Sequence, residues 1–279
     1  MQSFVISQIK NQISEITFGT PKSNSLPSEI LEKLAQTILN EGAKPEVKAI
    51  LLKSEGEKAF CAGASFDELL KINDLETSKK FFGGFAKVLN AMLTCGKIVV
   101  VRVQGKTTGG GVGIACAADY CFAIKEASLA LPELNLGIGP FVIGPFVERK
   151  IGKSQFTAMS LDTEFRTSSW AKEHQIYHQV FENITEMDTE IHKFLEKLSA
   201  KSAEALALIK KVSWEGTEHF EELMPKRILM SASLLLEDST KANIEKIKQN
   251  LERKINLKFL QKSQIVNLKS TIVLFFQIH

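Results

Sequence analysis

The stretch that most constrains this chain is Gly105–Asp119, GKTTGGGVGIACAAD. Three consecutive glycines, Gly109–Gly111, follow the β-branched run KIVVVRVQG and lead into small apolar residues. Glycine loses more conformational freedom on folding than any other residue, so a cluster at a strand–helix junction demands a close approach to backbone. A helix start has N–H groups without intrahelical acceptors and carries partial positive charge. Glycines there let a ligand oxygen reach bare amides. Tight packing of that helix would make the same demand, and the motif alone leaves both readings open. It satisfies neither GxGxxG nor a phosphate loop ending in Gly-Lys-Ser/Thr.

Two other stretches bear on the choice. KAFCAGASFDELL, Lys58–Leu70, also ends a strand in a small-residue turn and opens a helix near Ser65. Two such turns can each aim one N–H at the same oxygen. LALPELNLGIGP sets Glu133 among Leu129, Leu131, Leu134 and Leu136. A carboxyl in apolar company is held toward its neutral form and can exchange protons near neutrality.

Around these motifs the pattern alternates strand and helix. FVISQIKNQISEITF reads as two strands joined near Lys10–Asn11. Ser28 is placed to cap a helix carrying Ile30, Leu31, Leu34, Ile38 and Leu39 at helical spacing. VKAILLKS reads as a buried strand, and SKKFFGGFAKVLNAMLTC as helix interrupted at Gly83–Gly84. From about Ser199 the pattern is helical throughout. The expected class is α/β, with domains 1–198 (core and site), 199–262 (helical) and 263–279 (a tail without interpretable pattern). The Lys/Arg-rich end of the helical part reads as a solvated face.

Composition narrows the function. The 279 residues carry a net charge of +3, which gives no argument for nucleic acid, and the 18 phenylalanines suit a core. Cys61, Cys95, Cys116 and Cys121 form no CxxC and read as reduced thiols in a cytoplasmic setting. The start lacks a basic segment followed by an apolar one, and no apolar run has the length of a membrane span. STIVLFFQIH at the end reads as a short strand or tail. His174 and His178, four apart on an expected helix, lack an HExxH context and read as surface, so no metal is expected. Trp170 and Trp214 read as packing residues.

Taken in order and spacing, PKSNSL, KAFCAGASF, VQGKTTGGGVGIACAADY and LPELNLGIGP resemble the crotonase (enoyl-CoA hydratase/isomerase) family over roughly Phe4–Glu182. The resemblance implies a spiral of ββα units with a C-terminal helical part used in assembly as a homo-trimer or hexamer. It implies an acyl-CoA thioester as substrate and no cofactor beyond that coenzyme A. Its oxyanion hole would fall on the amides of Ala64 and Gly110, and its adenine contact on the backbone of Ala62. Gly109, Gly111, Leu131 and Phe141 would line the substrate site, and Glu133 would be the catalytic acid and base. Phe141 and Phe146 stand in GPFVIGPFVERK where the family has a glycine-rich stretch, and they either line the acyl pocket or pack under the helix.

The chain departs from that pattern at one position that decides chemistry. Hydratases of the family hold a water between two glutamates, and the first of these falls on Gly113 here. One carboxylate positions a water poorly but suffices to move a proton along an enolate. A double-bond isomerase is therefore the expected enzyme. A hydratase, a decarboxylase using Arg149 and a non-catalytic acyl-CoA-binding member are the alternatives. Serine hydrolysis lacks a Gly-x-Ser-x-Gly elbow.

Overall fold

The computed structural model describes residues 2–250 and 253 of the chain. The tail at 263–279 and the basic end of the last expected helix lie outside the described residues. Residues through Leu236 form one compact unit and those from Glu237 a second.

The first unit begins with the hairpin β1 (Phe4–Lys10) and β2 (Ile13–Gly19), joined at Asn11 and Gln12 with positive φ at both. Then come α1 (Ser28–Gly42), β3 (Ala49–Ser54), β4 (Ala59–Cys61), the single turn α2 (Phe66–Leu69) and α3 (Leu75–Thr94). Next are β5 (Ile98–Val103), β6 (Lys106–Thr108), α4 (Gly110–Ala117), β7 (Tyr120–Ile124), β8 (Ser128–Ala130) and a 3-10 turn at Pro132–Leu136. The series closes with α5 (Gly144–Asp162, kinked at Gly152), β9 (Arg166–Thr167), α6 (Ser168–Glu173), β10 (Gln179–Phe181), α7 (Ile184–Ser199), α8 (Ala203–Ser213) and α9 (Phe220–Leu236).

The strands come in pairs, and each pair divides between two sheets. The longer members β3, β5 and β7 lie side by side in a six-stranded sheet of order β1-β2-β3-β5-β7-β10. The shorter members β4, β6 and β8 form a second sheet with β9. Both runs are parallel, with Val100 beside Tyr120 in one and Thr107 beside Leu129 in the other. This is the expected α/β spiral of ββα turns. β5, with Val99, Val100, Val101 and Val103 all buried, is the continuous apolar run of a strand covered on both faces.

Two local expectations change. α3 runs unbroken through Gly83 and Gly84, because Gly84 is a contact and not a stop. A Cβ there would lie 2.8 Å from Leu31 Cδ1, so the bare backbone lets α1 and α3 pack closely. Ser28 is the first residue inside α1, and its hydroxyl caps nothing. The Ser28 N–H instead donates to Glu68 Oε2 from just beyond the Ala64 turn, at 2.8 Å. α2 does start with a side-chain cap, since Ser65 Oγ accepts from the Glu68 N–H.

The two histidines four apart do not share a helix. His174 ends α6, while His178 precedes β10 and its Nδ1 accepts from the Cys121 N–H. Burial, with help from the Lys150 charge, lowers His178 to about 4. Among the described residues no group of three or more potential ligands could hold a metal ion, and no helix is long and apolar enough to cross a membrane.

Candidate active site

The turn after β4 is clamped from one side. The Ala62 N–H donates to Ser23 O, the Leu26 N–H to Gly63 O at 2.8 Å, and the Ser65 N–H to Leu26 O at 3.0 Å. Ala64 is thus the bridged partner of Leu26 through its neighbours' groups, and its own amide stays outside the ladder. The turn after β6 has Gly109 at φ 54°, ψ −120°, which only glycine adopts without strain. That conformation starts α4 at Gly110, whose N–H has no acceptor within the helix. Neither the Ala64 nor the Gly110 amide donates to a partner among the described residues.

The two turns touch. A Cβ on Gly63 would lie 3.2 Å from Thr108 O and 3.7 Å from the Gly110 nitrogen. Glu133 meets the same place from the third ββα unit. A Cβ on Gly109 would lie 3.0 Å from Glu133 Oε1. Pro132 opens the 3-10 turn that carries Glu133, and the Ile138 N–H closes it on Glu133 O. Glu133 is half-buried as a residue, but its Oε2 is sealed from water and has no hydrogen-bond partner. Burial pushes its carboxyl up to about 7.

These groups line a cavity of about 210 Å³. Ala62, exposed, is on its wall with Ala64, Gly109, Gly110, Glu133 and Phe141, so six of the residues expected at the site come together. Two others do not. Gly111 faces Cys61, where a Cβ would meet Cys61 Cβ at 2.7 Å, and so it serves packing between α4 and β4. Leu131, between β8 and the 3-10 turn, is fully buried in the hydrophobic core and is not among the residues that line the cavity. Phe146 packs against Trp214 and Phe220 instead of the cavity. Arg149 stacks on Trp214 and donates to Ser213 O, away from the site.

The cavity also takes residues from helices whose sequence reads only as core. Phe81, Phe82 and Phe85 come from α3, Ile143 from the start of α5, and Ser231 from α9. Phe85 seats on Gly110, where a Cβ would collide with its ring at 2.3 Å. Ile143 occupies the space in front of Gly113: a Cβ there would lie 2.7 Å from Ile143 Cγ2. No lysine, arginine or histidine lines the cavity among the described residues. Cys61 beneath it is buried, and its thiol is pushed up to about 12, so it is no nucleophile.

Comparison with known proteins agrees with this geometry. A family model described as enoyl-CoA hydratase/isomerase matches residues 8–262. A short-chain-enoyl-CoA hydratase of Clostridium acetobutylicum is 34% identical over 138 residues, 49% of this chain and 52% of that protein. A mitochondrial 3-hydroxyisobutyryl-CoA hydrolase of Gallus gallus is 32% identical over 154 residues, 53% of this chain and 40% of that protein. The chain thus spans about half the length of the curated relatives it matches. The enoyl-CoA hydratase structure from Bacillus halodurans superposes with a TM-score of 0.81 at 22% identity, covering 87% of this chain and 99% of that one. With a family match over most of its length and the same fold around the paired turns, the chain belongs to the enoyl-CoA hydratase/isomerase family.

Proposed function

We propose that this protein acts on acyl-CoA thioesters as a double-bond isomerase, moving a 3,4 double bond to the 2,3 position. The observation that carries the reading is a lone carboxyl, Glu133, with its Oε2 unpartnered in an apolar cavity beside two amides that donate to no described residue. The thioester oxygen accepts from the Ala64 and Gly110 N–H groups. Ionised Glu133 removes a proton from C2, and the C–H electron pair delocalises over the thioester and the double bond as a dienolate. The two amides hold the charge that develops on oxygen. Protonated Glu133 then returns the proton to C4, leaving the 2,3 double bond conjugated with the thioester. The carboxyl ends as it began. A carboxyl near 7 is suited to both halves of that exchange. The coenzyme lies toward Ala62 at the exposed end of the site.

The hydratase alternative needs a second carboxylate at position 113. Ile143 fills the space such a side chain would enter, which supports isomerisation over hydration. The decarboxylase alternative needs a cation for a carboxylated acyl group, and Arg149 is engaged elsewhere. We also propose assembly as a homo-oligomer through the helical part. Leu208, Ile209 and Val212 on α8, with Leu229 and Met230 on α9, are exposed apolar residues that another copy would cover. Light scattering of the purified protein measures that directly.

The deciding experiment follows thioester absorbance with two substrates. A 3-enoyl-CoA is expected to gain the conjugated absorbance, and a 2-enoyl-CoA is expected not to lose it to water addition. Rapid hydration of the 2-enoyl substrate would overturn the isomerase reading.

A further inference from the structure

Two buried side-chain polar atoms on the cavity wall have no hydrogen-bond partner among the described residues: Glu133 Oε2 and Ser231 Oγ. The first is explained by the proposed chemistry. The second is not. Ser231 is 1% exposed on α9, and its hydroxyl does not turn back to a carbonyl of its own helix, the usual refuge of a helical serine. Leaving such a group unpaired is unfavourable by roughly 1–3 kcal/mol. Among the described residues no protein atom supplies the partner, and a polar group on the cavity's occupant would.

The position of Ser231 along the cavity follows from helix packing. Phe85 on α3 sits against Gly110, at the thioester end. One face of α3 then leads away from that end. Gly83 faces Ile228, and Ser78 Oγ donates to Ala232 O at 3.1 Å, so α9 runs antiparallel to α3. Ser78 lies seven residues before Phe85, about 10 Å along the helix. Ser231, one residue before Ala232 and itself on the cavity wall, therefore lies at about that level, away from the thioester end. An extended chain advancing about 1.3 Å per carbon covers that span in some six to eight carbons. Between the two ends the wall is built by Phe81, Phe82, Leu69 and Val142, which offer a chain no hydrogen bond.

We infer that the acyl group bears an oxygen about six to eight carbons from the thioester, a hydroxyl or a keto group, and that Ser231 is the specificity residue that binds it. The inference rests on the acyl-CoA reading of the site and adds what the acyl group carries. The aromatic wall selects an apolar chain. The serine selects one that is not apolar at its end.

Calorimetric binding of two saturated, unreactive probes, octanoyl-CoA and 8-hydroxyoctanoyl-CoA, tests it without relying on turnover. The wild type is expected to bind the hydroxylated probe at least tenfold more tightly, and Ser231→Ala to reduce that ratio below threefold. Thermal unfolding of Ser231→Ala, expected at or above the wild-type temperature, certifies that the variant is folded. Equal binding of both probes by the wild type, or a preference that survives in Ser231→Ala, overturns the role of Ser231 and leaves the acyl-CoA reading standing. Failure of both probes to bind overturns both readings.

Discussion

Asp119 and Glu133 are both acids whose carboxyl groups turn inward, and they are treated in opposite ways. Asp119 is 9% exposed and fully engaged. Its Oδ2 accepts from the Val99 N–H at 2.7 Å and from Lys210 Nζ at 2.6 Å, and its Oδ1 accepts from Trp214 Nε1 at 2.8 Å. Lys210, itself 3% exposed, brings the opposite charge from α8, so the acid ties the helical region to β5. Glu133 has neither a cation nor a donor on Oε2. A carboxylate that accepts from three donors, one of them a cation, holds structure. One with an oxygen left without a donor and no cation beside it sits near the balance of its two states and can move a proton. Burial by itself distinguishes nothing; the count of donors does.

The sharpest way to break the comparison is Glu133→Gln. Turnover of a 3-enoyl-CoA is expected to fall about a thousandfold, the scale of a lost general base, with acyl-CoA affinity kept within a few-fold in a binding assay. If the rate survives, the unpartnered acid is not the base. Asp119→Ala should do the reverse. It strands the Lys210 ammonium in the interior and is expected to lower unfolding free energy by roughly 3–5 kcal/mol in a urea titration, while the folded fraction keeps its rate per site.

A pH series sharpens the contrast further. The Glu133 carboxyl is raised from 4.5 to about 7 in the folded chain, so the folded state holds its proton more tightly than the unfolded one. Its favourable contribution is complete below pH 4.5 and is lost as pH rises through 7. Glu133→Gln lacks this loss. The stability of the variant relative to wild type is therefore expected to increase by about 3 kcal/mol between pH 4 and pH 8. By the same ionisation, kcat/KM of the wild type should rise with pH and level off above about 7. The smallest expected effect is that of Gly113→Ala. Its new methyl meets Ile143 Cγ2 at 2.7 Å, and a destabilisation of roughly 1–3 kcal/mol should appear in thermal unfolding.

How much of this was legible in the sequence depends on chain distance. Ala64, Gly109, Gly110 and Glu133 sit at strand ends, where small residues or a lone acid among leucines break the local pattern, and each could be singled out there. The paired strands were legible from β-branched runs and breakers. Ile143, Phe85 and Ser231 could not be found this way. They reach the cavity from helices, where an apolar residue or a single serine looks the same whether it faces a void or a neighbour. Leu131 and Gly111 misled for a related reason. They adjoin residues that line the site, yet Leu131 is buried at the junction of β8 and the 3-10 turn, and helix rotation turns Gly111 onto Cys61. Gly84 signalled a break and delivered a contact, because sequence does not reveal that Leu31 needs its place.

The contact between Gly113 and Ile143 bears on how this chain could change over evolutionary time. A mutation giving residue 113 a carboxylate would first collide with the isoleucine, and trimming the isoleucine first would open a void with nothing to fill it. Each single step is therefore deleterious, although the pair together need not be. A second carboxylate beside Glu133 would therefore need two coordinated changes, at positions thirty residues apart in the sequence.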